Sequence, residues 1–147
     1  MSSEAPGEGA ARNGDAGEAR PAPRAIVAGH GDFAVGLVSA VAQITGRDDV
    51  FVAMSNRGLS ADDVEQALRD QTSDVRVVFT DLPAGSWTIG ARRIMRERPD
   101  IVLVTGANLV TLLDFVFSPL ASPLDAARHA AERGRAALSV LEVPRAR

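Results

Sequence analysis

The 147-residue sequence contains no cysteine and only two histidines. The first absence excludes disulfides, thiolate metal sites and a cysteine nucleophile, and it fits a reducing compartment. With two histidines and no His-x-x-x-His spacing, a metal held by protein side chains is not expected. No apolar run reaches the ~20 residues that span a bilayer, and the N-terminus lacks the apolar middle region of a signal peptide. The expected setting is therefore cytoplasmic, without direct membrane insertion. A net charge of −3, with no basic run to offset it, argues against nucleic-acid binding.

What is present fits one soluble domain: 46% hydrophobic and 24% charged residues in a chain long enough to bury a core. Residues 1–23 hold Gly, Ala, Glu, Arg and Pro with no large apolar residue after Met1. Such a segment cannot bury enough surface to balance its ordering entropy and reads as a disordered tail. The folded domain is expected over 24–143, with a short tail at 144–147.

Within that domain apolar strands alternate with helical patterns. Strands are expected at 25–28, 50–54, 75–80 and 101–105. The first helix follows Asp32, a candidate cap, and closes at Gly46. The second opens on Ser60-x-x-Asp63, which has the form of a capping box. The third runs from about Ser86 to Arg98, a fourth over 109–117 behind Asn108, and the last begins at Ser122-Pro123. This order predicts an α/β fold: a doubly wound, mainly parallel sheet with helices on both faces. The strand order 2-1-3-4 is the expected one, and it places a switch point between strands one and three.

Ligands of such folds bind beyond the carboxyl ends of the strands at the switch. The loops that meet there carry His30, between Gly29 and Gly31, and Asp81, followed by Gly85 and Ser86. Neutral imidazole attacks phosphorus well and leaves readily, so His30 is the candidate nucleophile. Asp81 is the candidate partner that fixes its tautomer and orients the ring. Gly31, Ser86 and the amides of Gly85 and Trp87 are candidate contacts for phosphate oxygens. The Trp87 side chain suits the mouth of the site or a partner surface, with core packing as the alternative. Asn108 reads as a helix cap, and His129 as an exposed side chain without a partner. Arg92, Arg93, Arg96 and Arg98 crowd one helix, as a docking face or as a solvated one. Two alternatives stay open. Gly29-x-Gly31-x-x-Ala34 also fits the loose dinucleotide fingerprint, with Ser55-Asn56-Arg57 placed to suit an NADP-type 2′-phosphate. A purely regulatory interaction domain with an inert His30 is the other.

Taken together, the segments starting Ile26-Val-Ala-Gly-His30, Ile44-Thr-Gly46, Phe79-Thr-Asp81-Leu-Pro-Ala-Gly-Ser86 and Gly106-Ala-Asn108 resemble the enzyme IIA component of the mannose/fructose family of the bacterial sugar phosphotransferase system (PTS). The resemblance covers about 24–141. It implies that His30 accepts a phosphoryl group from the phosphohistidine of the carrier HPr and passes it to a IIB component, for sugar uptake or its regulation. It implies no cofactor and no metal, Asp81 as the carboxylate partner and Ser86 as the phosphate-contacting serine. It also implies a homodimer that exchanges an antiparallel edge strand, for which 138–143 is the candidate. Ala84 and Trp87 stand where the mannose-type loop has a second glycine and a proline, a departure that bears on partner and sugar more than on phosphorylation.

Overall fold

A computed structural model of the chain describes residues 23–145. The expected N-terminal tail, Pro23 aside, lies outside the described residues, as does the end of the C-terminal tail. Four strands and five helices alternate: β1 Ala25–Gly29, α1 Phe33–Thr45, β2 Phe51–Ser55, α2 Ala61–Gln71, β3 Val77–Thr80, α3 Ser86–Glu97, β4 Val102–Val104, α4 Leu109–Phe117 and α5 Pro123–Ala137. All strands are parallel and run in the order β2-β1-β3-β4, as the sequence predicts.

The period-2 geometry of a strand splits the core in two. Ala25, Val27, Val77 and Phe79 face α1, α4 and α5, while Ile26, Ala28 and Val78 face α2 and α3. On the first side the rings of Phe51, Phe79 and Phe115 pack mutually, with centroids 5.2–6.0 Å apart. Arg24 lies over Phe115 at 4.7 Å. On the second side α3 contributes Trp87, Gly90, Ala91 and Ile94, a helical stripe that buries the one tryptophan to 1% exposure. The Trp87 side chain therefore belongs to the core and not to the mouth of the site.

Local signals set most boundaries. Ser60 and Asp63 form the reciprocal capping box at α2, with bonds of 3.1 and 3.0 Å. Gly46 ends α1 in the left-handed region, and Ser122 caps α5 ahead of Pro123. Asn108 caps α4 and also donates its amide to the Gly134 carbonyl at 2.9 Å. That contact holds α4 and α5 close, and a Cβ at Gly134 would run into the Thr111 hydroxyl.

The strand bounds and one expected cap are adjusted. Pairing of β3 begins at Val77, after Val75 has already entered the core, and β4 is confined to three residues. Asp32 makes no side-chain capping bond: its backbone, at φ −94° and ψ 14°, is not the extended form that aims a cap at the helix amides. Residues 138–143 form no strand within the single chain. Among the described residues, no helix is long and apolar enough to cross a membrane.

Candidate functional site

Strand register builds the site. Ala28 pairs with Thr80 across β1 and β3, so β3 ends one residue short of β1, and Asp81 and His30 leave the two neighbouring strand ends close together. The Asp81 carboxylate oxygen Oδ2 accepts two hydrogen bonds of 2.8 Å, one from the His30 backbone N–H and one shared with ring atom Nδ1. A single oxygen thus anchors both the turn and the ring. Its acceptor role requires the proton on Nδ1, which leaves the Nε2 lone pair outward. The ring side chain is 48% exposed and its carboxylate partner 12%.

Burial pushes the Asp81 carboxyl upward, and the hydrogen bonds from the His30 amide and ring more than reverse that effect. The result lies below the ordinary carboxylate value, so Asp81 is ionised at neutral pH.

The turn tolerates little at its glycines. A Cβ at Gly29 would stand 2.5 Å from the Phe33 ring and 3.1 Å from the Asp81 carboxyl carbon. Gly31 has φ +56°, a conformation that side chains resist. On the other wall Gly85, at φ +122°, brings its backbone against the ring: a Cβ there would lie 3.3 Å from His30 Cε1 and 4.0 Å from Nε2.

Gly85 is also the residue before α3, so the first amides of that helix lie next to the ring. The first bond closing α3 runs from Ile89 N–H to Gly85. The amides of Ser86, Trp87 and Thr88 therefore have no intrahelical acceptor, and the positive end of the helix dipole sits behind them. The Ser86 hydroxyl is buried without a hydrogen-bond partner among the described residues. A buried donor left unspent is costly to keep, a state the Trp87 indole N–H in the core shares.

The loop between β3 and α3 is pinned from beneath. Thr88 Oγ1 donates to the Leu82 carbonyl at 2.6 Å and meets Thr80 Oγ1 at 2.7 Å. Sequence reasoning passed over this pair. Its signal is a threonine ending a buried strand, eight residues ahead of a second threonine on the buried face of a helix.

Of the expected site residues, His30, Asp81 and Gly85 come together, Gly31 and Ser86 are their chain neighbours, and the Trp87 side chain turns into the core. Asn108 serves its helix. His129 is not isolated: its Nδ1 lies 2.7 Å from Asp114 across the α4–α5 hairpin. Arg93 pairs with Glu65 and Arg98 with Asp100, so part of the arginine cluster ties elements together. Among the described residues no three His, Cys, Asp or Glu side chains gather as a metal site. The arrangement can present an oriented imidazole nucleophile beside anion-stabilising donors, on a shelf open to a large partner.

Residues 24–132 match the family described as PTS system fructose IIA component. No curated protein matches the chain. Among solved structures it is similar to phosphotransferase system component EIIA from Streptococcus agalactiae, at 25% identity and a TM-score of 0.74, covering 80% of this chain and 95% of that one. It shares the fold of the mannose/sorbose specific IIA subunit of the phosphotransferase system from Enterococcus faecalis, at 22% identity and a TM-score of 0.72, covering 86% and 100%.

Proposed function

The chain belongs to the fructose-type IIA components of the PTS, a phosphocarrier family, and from that premise we propose that His30 is its phosphoryl acceptor. The supporting observation is the state of the ring. Nδ1 is committed to Asp81 and Nε2 is left as a nucleophile on an exposed shelf.

In the proposed step the Nε2 lone pair forms an N–P bond to the phosphoryl group of phosphorylated HPr. The N–P bond of the donor breaks, and its electron pair stays on the donor imidazole. The ring of His30 keeps its Nδ1 proton and gains positive charge, which Asp81 stabilises. The α3 amides and the Ser86 hydroxyl donate to the equatorial oxygens, where charge gathers in transfer. The same step, reversed in direction, hands the group to a histidine or other nucleophile of a IIB component. An open shelf suits this exchange, since each partner must bring its own reacting atom to Nε2. Phosphorus moves between protein groups, so the relay uses no cofactor, and its setting is the cytoplasm.

The working unit in this reading is a homodimer. Residue 138 leaves α5 with extended backbone, and Leu138, Val140, Leu141 and Val143 are 86–91% exposed. Among the described residues only one edge of β4 is paired, to β3. An apolar segment without cover and an open sheet edge are complementary liabilities, and a second copy resolves both by adding 138–143 to the edge. Sedimentation of the full chain is expected to give a dimer, and of a version ending at Ala137 a monomer. A monomeric full chain would remove the dimer from the proposal.

Phosphorylation is tested by incubating the protein with phosphoenolpyruvate, enzyme I and HPr and recording intact mass at neutral pH. One added phosphoryl group, lost in acid, is expected. No addition, with HPr itself visibly phosphorylated, would overturn the carrier reading in favour of an inert regulatory domain or a dinucleotide site.

A further inference from the structure

The loop after β2 places a cation beside the β1–α1 turn that carries His30. Gly29 pairs with Ser55, so β2 ends level with β1 on the side away from Asp81. The loop is a built turn: the Arg57 N–H donates to Ser55 Oγ at 3.2 Å, the Leu59 N–H to the Asn56 carbonyl at 3.0 Å, and Gly58 takes φ +72°. From it the Arg57 side chain folds back over the β1–α1 turn. One terminal nitrogen lies 3.0 Å from Asp32 Oδ1. The other lies 3.6 Å from where a Cβ of Gly31, the residue after His30, would stand.

Fold stability does not account for this placement. Arg57 and Asp32 are 68% and 76% exposed, and such pairs contribute little to stability because solvent screens them and ordering two long side chains is unfavourable. The electrostatics of the site do account for it. A phosphoryl group on Nε2 brings nearly two negative charges to a turn that already carries the Asp32 carboxylate. Asp81 adds a second carboxylate on the far side of the ring. The α3 amides answer the phosphoryl from the Gly85 wall only. A guanidinium over Gly31 answers it from the opposite wall, and its planar fork can serve two anions at once.

We infer that Arg57 is a positioning residue for the phosphoryl group in transit to and from His30, with Asp32 as its resting counter-ion. The inference rests on the carrier reading above. When the phosphoryl group arrives, the fork turns part of its hydrogen bonding from Asp32 to the phosphoryl oxygens. No bond to Arg57 is made or broken. Its contribution is charge placed ahead of time where the transferring oxygens will be. Asp32 in turn holds the guanidinium over the turn between transfers and keeps it from wandering into solvent.

The test uses the full chain with two donors: phosphorylated HPr, and phosphoramidate, a small molecule that phosphorylates histidine without any protein partner. Arg57→Gln is expected to slow phosphorylation about 10–100-fold with both donors, while its thermal midpoint stays at that of the wild type. Arg57→Lys is expected to recover part of the rate, since it restores charge without the fork. A loss confined to phosphorylated HPr would assign Arg57 to protein docking and overturn the inference, as would an unchanged rate with phosphoramidate. Wild-type protein that neither donor phosphorylates would sink the carrier reading itself, a separate result.

Discussion

Replacing His30 with alanine is expected to abolish phosphorylation, and replacing His129 is expected to leave it untouched. The contrast is informative because the two histidines look alike at close range. Each places Nδ1 within 2.8 Å of an aspartate oxygen, and each ring is about half exposed. A carboxylate partner alone would make both nucleophiles. What separates them is the surrounding backbone. His30 lies in a strand-to-helix turn, with Gly85 against its ring and the unpaired first amides of α3 beside it. His129 lies inside α5, where neighbouring amides are already spent on the helix. Charge developing on a phosphoryl group at His129 would meet no aimed donors. The expected intact mass is one phosphoryl group for wild type and His129→Ala, and none for His30→Ala. A phosphoryl group retained by His30→Ala and lost from His129→Ala would reverse the assignment.

The same contrast shows what a sequence can and cannot reveal. His30 and Asp81 are 51 residues apart, yet both end buried strands, and a parallel sheet in the order β2-β1-β3-β4 makes those ends neighbours. Strand patterns and the switch-point rule were enough to pair them. The His129–Asp114 contact had no such rule behind it, because it depends on how two helices of a hairpin rotate against each other. Asp32 was misread as a cap because residue type and position both fit. The backbone angle that forbids capping and frees the side chain for Arg57 leaves no mark on composition. Trp87 was legible in principle: with Gly90, Ala91 and Ile94 it completes the buried stripe of α3. Its place beside Ser86 suggested the site, and the helical period, which sends adjacent residues in different directions, carried it to the core. Residues 138–143 have the apolar content of a strand but form none among the described residues, and in the proposed dimer a second copy would supply the missing partner.

Replacing Asp81 with asparagine is expected to slow phosphoryl transfer by about 10²–10⁴-fold while the protein stays folded. Asparagine has nearly the shape of aspartate, so it can still accept the His30 backbone N–H. It cannot supply the negative charge that stabilises the ring as Nε2 takes up phosphorus, and its amide group can turn a donor toward Nδ1 and select the wrong tautomer. An effect on chemistry rather than on docking requires the loss to persist with phosphoramidate as the donor. The stability of the variant carries a second signature. Burial raises the Asp81 pKa, the His30 bonds lower it further than burial raises it, and the net position is below the unfolded value of about 3.9. A carboxyl depressed in the folded state contributes stability in full above its unfolded pKa and loses it as pH falls through the folded one. Wild type should therefore exceed Asp81→Asn in urea midpoint at pH 7, and the gap should begin to narrow as pH falls below about 4 and vanish once the folded-state carboxyl is protonated. A variant that transfers phosphoryl at the wild-type rate would mean that some other group orients the ring. A stability gap that ignores pH would mean that Asp81 acts through shape and not through charge, and the positive ring of the phosphorylated state would then need a different counter-ion.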